Sequence, residues 1–299
     1  MLLAFDWTQL AQQIVIGLAS GGVWATLAVA LVLIYRSTGV VNFAQGEMAM
    51  FSTFIAWSLV HHGLSYWAAF ALTIAISFLG GAAIERAVIR PVERAPVLTV
   101  VMVTLGLFFV VNGAARWLWT PETRSLPNAF STRPIDVAGV AFSIQDLGTI
   151  AVSLGAVFLL WLFFRFTKLG LAMRAGALNP AAARLLGVRT SILLALGWGF
   201  AAVLGAVSGM MVAPTFFLTP NMMQAVLIYA FAAAVVGGLE SPVGAVVGGI
   251  ALGVILQMLT QYVGFVTPDL QLPMALAVLL VVLLVRPAGL LGRQVVRRV

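Results

Sequence analysis

The sequence predicts an all-α, polytopic helical membrane protein, and three observations support this fold class. Of the 299 residues, 62% are hydrophobic and only 8% are charged, whereas about 25% of residues are charged in soluble domains. Apolar runs recur at close to the roughly 20 residues that a helix needs to cross a bilayer. Runs such as 156–164 and 277–285 are apolar on both faces, which does not fit the alternating strands of a membrane β-barrel.

Nine segments have the length and composition of membrane-spanning helices. They lie near residues 10–35, 46–62, 65–84, 97–118, 147–166, 191–213, 222–238, 244–263 and 270–286. The expected number is eight to nine. The second segment is short and begins with polar residues, so it could be a broken or re-entrant helix. Residues 237–244 could likewise be a turn between two spans or a break within one.

The basic residues predict the orientation of the chain. Of the 16 lysines and arginines, 13 fall on one side of the nine-span arrangement, and Arg116, Arg124 and Arg133 fall on the other. The positive-inside rule then places the N-terminus outside and the C-terminus in the cytoplasm. An eight-span arrangement breaks this pattern unless one segment is re-entrant. The basic clusters lie between apolar runs, without a fold or aromatic platform for nucleic acid, so we expect no such partner.

The chain is expected to form one membrane domain over residues 1–299, with a cytoplasmic loop at about 167–190. The longest outside segment, 120–146, contains three prolines and balanced charges and is predicted to be only a loop. The first 13 residues contain one acidic and no basic residue, unlike a secretory signal peptide, so the first apolar segment is expected to be retained. Glycines spaced four residues apart, as at Gly17 and Gly21 or Gly249 and Gly253, predict close helix packing.

No catalytic or metal-binding constellation is visible. The chain has no cysteine, which excludes a thiol nucleophile and a sulfur-based metal site, and its acidic residues are scattered. His61 and His62 are adjacent in a short outside turn, where they could bind a metal, sense pH or simply be solvated. The only lysine, Lys168, follows no glycine-rich phosphate loop. If ATP drives this protein, a separate subunit must hydrolyse it.

The basic segment 168–187 predicts a short helix in the cytoplasm. Asn179 suits an N-cap, Pro180 suits the first helical position, and Gly187 can adopt the left-handed conformation that ends a helix. No other long loop can cover its apolar stripe, which consists of Leu178, Ala182, Leu185 and Leu186. The stripe therefore predicts a partner chain. The alternative is a helix that lies on the membrane with its arginines against anionic lipid.

Glu47 is the second candidate site, within the polar cluster 38–48. An ionisable residue at the edge of an apolar segment suggests a function, because its burial must be offset by partners or water. Asn42 and Gln45 could be those partners. The alternative is an ordinary helix start, where the macrodipole favours a negative charge in the first turn. Glu240 poses the same question in a turn that we expect on the cytoplasmic side.

The chain resembles the membrane subunits of branched-chain amino acid ABC importers. Four stretches carry the resemblance, which spans most of the chain: 41–47 with the sequence Val-Asn-Phe-Ala-Gln-Gly-Glu, the loop 174–188, 237–249, and 286–293. The family commonly has two membrane subunits, and the short N-terminus is similar to that of the smaller one.

This resemblance implies a permease in the bacterial cytoplasmic membrane, surrounded by membrane lipid. It would work with a homologous second permease subunit, two cytoplasmic ATPases that hold ATP and Mg, and a periplasmic or lipid-anchored binding protein. The chain itself would hold no cofactor. The ATPase-coupling residues would be Arg174, Asn179, Pro180, Ala183, Arg184, Leu185, Leu186 and Gly187. A translocation path or gate would include Asn42, Gln45, Glu47 and Glu240.

The sequence does not identify the solute. Permeases of the resembled family handle branched-chain or other amino acids, amides or urea, so we expect a small amino-acid-like solute. One rival function is an ion-coupled secondary transporter or facilitator, in which Glu47 and Glu240 would serve the coupling ion. An intramembrane enzyme is the other rival, and no pair of reactive side chains on adjacent spans supports it.

Overall fold

A computed structural model describes residues 7–137 and 139–292 of the chain. Within these ranges the protein is a helical bundle with one two-stranded hairpin. The helices are α1 (Trp7–Thr38), α2 (Gln45–His61), α3 (Tyr66–Ile84), α4 (Val97–Trp119), α5 (Ile144–Phe166), α6 (Lys168–Leu178), α7 (Pro180–Leu185), α8 (Thr190–Phe216), α9 (Met222–Gly237), α10 (Pro242–Tyr262) and α11 (Gln271–Val285). A π-helical turn, Glu85–Ile89, and a 3-10 turn, Arg90–Val92, follow α3 directly.

Every predicted span coincides with a helix, but the helices differ in length. Seven are long and apolar enough to cross a membrane, counting α3 through Val92 and α11 from Pro268. Helices α2 and α9 contain only 17 and 16 residues, fewer than the about 20 that a full crossing needs. The all-α polytopic fold is confirmed with seven candidate spans in the described part of the chain. The sidedness of the bundle stays a prediction.

Helix α1 lies at the centre of the bundle and packs against α5, α8, α9 and α10. Its contact with α10 brings the two backbones together at glycines. A Cβ atom added to Gly21 would lie 2.8 Å from the carbonyl oxygen of Gly249, and one added to Gly249 would lie 2.6 Å from Cα of Ala25. Any side chain there would force the helices apart. The close packing predicted from the glycine spacing is therefore confirmed for α1 and α10.

Helix α2 begins inside the bundle rather than at its edge. Asn42 and Gln45 have no solvent exposure, and Nε2 of Gln45 donates a hydrogen bond of 2.8 Å to the carbonyl of Ala201, near the middle of α8. A Cβ added to Gly46 would contact Leu227 on α9 at 3.2 Å. The connection after α1 thus turns back into the protein before α2 starts. A short helix that starts inside the bundle agrees with the expected broken or re-entrant second span, and the choice between these two stays a prediction.

Residues 237–244 form a turn between two separate helices. Helix α9 ends at Gly237, and Oγ of Ser241 accepts a hydrogen bond of 3.0 Å from the amide of Gly244 at the start of α10. The chain after α11 covers this turn, since the amide of Leu290 donates to the carbonyl of Val236 at 2.8 Å. Of the two alternatives, the turn is the observed one. The last residue of the resembled stretch, Arg293, lies outside the described residues.

The prediction that 120–146 is only a loop is wrong in part. Strands β1 (Pro134–Val137) and β2 (Val140–Ser143) pair there as an antiparallel hairpin. At its turn, Oδ1 of Asp136 accepts a hydrogen bond of 2.8 Å from the amide of Gly139, whose φ is +84°. An aspartate, a glycine with positive φ and flanking β-branched residues are typical of hairpins. The three prolines of this segment favour a loop, but the residues around Asp136 and Gly139 carry the hairpin signal.

Candidate functional site

Glu47 is buried in the first turn of α2, with 1% of its surface exposed. Its Oε2 accepts a hydrogen bond of 2.9 Å from Nδ2 of Asn112 on α4. The same amide nitrogen donates to the carbonyl of Pro220, just before α9, at 2.8 Å. Asn112 therefore ties together three parts of the chain and gives the buried carboxylate the partner that its burial requires.

A chain of polar contacts continues from Asn112 to the surface of the bundle. Its Oδ1 accepts a hydrogen bond of 2.7 Å from Nε of Arg116, one turn further along α4. Arg116 also donates to Oδ1 of Asn221 at 2.8 Å, and Nε2 of Gln224 donates to that same oxygen at 3.2 Å. We name Glu47, Asn112, Arg116, Asn221 and Gln224 the Glu47 network. It links a buried acid to an exposed base through amide side chains.

Asn42 and Gln45 do not serve as partners of Glu47, so that hypothesis is wrong. Nδ2 of Asn42 donates to Oε1 of Gln45 at 3.2 Å, and Oδ1 of Asn42 accepts from the amide of Ala44 at 3.0 Å. Gln45 is two residues from Glu47, which places their side chains about 200° apart around the helix. The two amides therefore brace the start of α2 against α8, while Glu47 faces α4.

Glu240 lies at the opposite end of α9 from the Glu47 network. It is exposed in the turn before α10 and borders a shallow cavity of about 230 Å³ with Tyr35 and Pro287. The structure therefore brings Asn42 and Gln45 together and places Glu240 far from them along α9. Glu240 and Glu47 do not form a pair of acids at one depth.

The polar partners of Glu47 were not found from the sequence. The sequence predicts for Arg116 only a place on the outer side of the membrane, and it predicts no role for Asn112. Their four-residue spacing places both on one face of α4, which was the available signal. Asn221 and Gln224 gave no comparable signal, because their proximity to α4 depends on the fold.

The segment 168–187 forms two short helices, α6 and α7, instead of one. Oγ1 of Thr167 accepts from the amide of Gly170 at 2.9 Å and caps α6. Oδ1 of Asn179 accepts from the amide of Ala182 at 3.0 Å and caps α7, which begins at Pro180. Gly187 follows α7 with a φ of +80°. The predicted N-cap, first residue and terminating glycine are confirmed, whereas α6 was not predicted as a separate helix.

The apolar stripe of this helix pair faces away from the protein. Leu178, Leu185 and Leu186 are 76%, 89% and 83% exposed. Ala183 is 3% exposed and faces the bundle instead. Arg174 and Arg184 lie on the same helix pair, beside a cleft described below. Exposed leucines on a capped helix outside the bundle are the arrangement that a docking partner would cover.

Comparison with known proteins agrees with this architecture. Residues 13–285 match the family described as branched-chain amino acid transport system / permease component. The chain is 30% identical to the high-affinity branched-chain amino acid transport system permease protein BraD of Pseudomonas aeruginosa, over 96% of this chain and 97% of that protein. It is also 30% identical to the corresponding permease protein LivH of Salmonella typhimurium, with the same coverage.

A more distant relative has a different name. The fructose import permease protein FruF of Bifidobacterium longum is 22% identical over 85% of this chain and 73% of that protein. The names of the relatives thus agree on permease proteins and differ in solute. The chain belongs to the branched-chain amino acid transport permease family, whose members are multi-pass membrane subunits of ABC importers and leave ATP binding to partner ATPases.

Proposed function

We propose that the chain is the LivH-type membrane subunit of an ATP-driven importer for branched-chain or related small amino acids or amides. The observation that carries this proposal is the exposed apolar face of the α6–α7 pair. A secondary transporter has no need of a capped helix that presents leucines outside its bundle, whereas a permease driven by a separate ATPase needs such a contact. The complete importer would add a homologous second permease subunit, two cytoplasmic ATPases and a periplasmic or lipid-anchored binding protein.

The α6–α7 pair would transmit the state of the ATPase to the bundle. Leu185 and Leu186 would enter a hydrophobic site on the ATPase, and burial of two leucines is worth about 3–6 kcal/mol. The capped and glycine-terminated ends of α7 fix the direction in which these side chains project. Ala183 packs toward the bundle, so a displacement of α7 would be passed to α6 and α8, which it contacts. Arg174 and Arg184 would position the pair from the bundle side.

The Glu47 network would form part of the translocation path or its gate. A zwitterionic solute needs a group of opposite charge, or a helix end, for each of its two charges. The network supplies a carboxylate near the start of a helix and a guanidinium, linked by amides that can exchange their hydrogen bonds. Asn42 and Gln45 support this helix start. Glu240 lies at the other end of α9 and would act, if at all, at a different stage.

The direct test is to isolate the chain in mild detergent with its natural partners and identify them by mass spectrometry. We expect a second permease chain and two ATPases with phosphate-binding loops. The isolated complex, reconstituted into liposomes with its binding protein, should then take up leucine, isoleucine or valine only when ATP is supplied. A lone chain that moves solute along an ion gradient would contradict the proposal and support the secondary transporter.

A further inference from the structure

A large apolar cleft is separate from the Glu47 network. Its volume is about 640 Å³, and it lies between α1, α5, α6, α8 and α10. Val29, Leu154 and Leu194 line it from three different helices. This volume is within the roughly 300–1,000 Å³ typical of sites for organic ligands. The cleft can therefore hold a substantial apolar molecule.

Exposed side chains on α5 and α10 line part of the cleft. Phe158 and Trp161 on α5 and Val243 and Val247 on α10 line it and are 56%, 48%, 58% and 43% exposed. Both helices are candidate membrane spans. Exposed aromatic and aliphatic side chains on two such helices would face the hydrocarbon of the membrane. The most accessible occupant of the cleft is a lipid acyl chain.

One end of the cleft is positively charged. Arg36 at the end of α1, Arg174 on α6 and Arg184 on α7 line it, together with one carboxylate, that of Glu93. Nε of Arg174 is buried and has no hydrogen-bond partner within the described ranges. Nε of Arg184 donates to Oγ1 of Thr190 at 3.0 Å. Guanidinium groups are suited to bind the oxygens of a phosphate group.

We propose that this cleft binds an acidic phospholipid of the cytoplasmic leaflet. One acyl chain occupies the apolar part, and the headgroup phosphate contacts Arg36, Arg174 and Arg184. Basic pockets between helices on the cytoplasmic side have this recognition chemistry. The site uses the predicted orientation of the bundle and is independent of the transported solute. Because α6 and α7 form part of its wall, a bound lipid would hold the proposed docking helices against the bundle.

The test measures lipid binding by the purified full-length chain. A fluorescent phosphatidylglycerol is titrated against the wild type, Arg36→Gln/Arg174→Gln and the control Arg94→Gln, which removes an exposed arginine outside the cleft. An arginine near anionic lipid contributes about fivefold in affinity, so the double variant should bind roughly 30-fold more weakly. Phosphatidylcholine has the same phosphate, but its ammonium group offsets the negative charge, so it should bind the wild type more weakly than phosphatidylglycerol does. Equal phosphatidylglycerol affinity in the double variant and the control would overturn the proposal.

A second variant tests the acyl-chain part of the cleft without altering any charge. Val246→Trp places an indole in the cleft, and we expect it to lower phosphatidylglycerol binding while the arginines stay in place. Size-exclusion chromatography and thermal unfolding identify the variants that retain the fold. A folded Val246→Trp protein with unchanged binding would overturn the proposal. So would displacement of the lipid by millimolar inorganic phosphate, which would assign the arginines to a free anion.

Discussion

The Glu47 network and the α6–α7 pair are opposite exceptions to the usual distribution of side chains. The network has polar side chains in the protein interior, and the helix pair has apolar side chains on an exposed surface. The first consists of polar and charged side chains and begins in the interior, where Glu47 is 1% exposed. The second presents leucines that are more than three-quarters exposed, outside the main bundle. Each arrangement is costly unless a partner offsets it. Glu47 has its partner within the same chain, whereas no residue in the described part of the chain covers the leucines.

This difference predicts which substitutions affect stability and which affect assembly. Changes in the Glu47 network should be visible in the isolated chain, because its hydrogen bonds are internal. Changes on the exposed face of α7 should leave the isolated chain unchanged and appear only in the complex.

The largest effect is expected for Leu185→Asp/Leu186→Asp. Placing two carboxylates in a contact worth about 3–6 kcal/mol should weaken the permease–ATPase complex by 100-fold or more. Membrane insertion and thermal stability of the isolated chain should not change. ATPase activity stimulated by the loaded binding protein reports the coupling, and Leu185→Met is the matched apolar control. Normal stimulation in the double variant would exclude this face as the docking surface.

Glu47→Gln is expected to lower transport about tenfold, which corresponds to about 1.4 kcal/mol. The glutamine keeps the shape of the side chain and can still accept a hydrogen bond from Asn112, but it removes the charge. The assembled complex should form normally, and uptake of radiolabelled leucine into liposomes measures the loss. Full uptake by this variant would return Glu47 to the role of an ordinary helix start.

Asn112→Ala tests the network through stability. It leaves the buried Glu47 carboxylate without its 2.9 Å partner, and a buried acceptor left unpaired costs about 1–3 kcal/mol. Thermal unfolding in detergent should show the loss, while Asn128→Ala, at an exposed loop position, should behave like the wild type. In the double variant Glu47→Gln/Asn112→Ala, the loss of unfolding free energy should be smaller than the sum of the losses in the two single variants. Simple additivity would show that the two side chains are not coupled.

The smallest effect is expected for Asn179→Ala. Loss of an N-cap costs about 0.5–2 kcal/mol, so α7 should fray and coupling should fall severalfold rather than disappear. Asn179→Ser retains a capping oxygen and should restore most of the stimulated ATPase activity. Equal activity of the alanine and serine variants would show that the cap does not matter for coupling.

Much of the fold could be predicted from the sequence because hydropathy is a local property. The nine apolar segments, the close packing at the glycines of α1 and α10, and the ends of α7 all follow from residue type and spacing, whereas the pairing of these two helices does not. The contacts of α2 could not be predicted in this way. Glu47 meets Asn112, which is 65 residues away in the chain, and no local pattern specifies that pairing. Gln45 is a second example. Its proximity to Glu47 in the sequence suggests that the two side chains are partners, but the helix geometry points them in different directions.

The backbone contact between α1 and α10 has a mechanical consequence. Helices that meet through glycines at both faces cannot slide without steric collision, so this pair, with α8 packed beside α1, should move as a rigid body. Helix α4 packs mainly against α2, and its outer side chains Phe109 and Val110 are about 70% exposed. A rocking motion of α4 would therefore stretch the two hydrogen bonds that join it to the start of α9, from Asn112 to Pro220 and from Arg116 to Asn221.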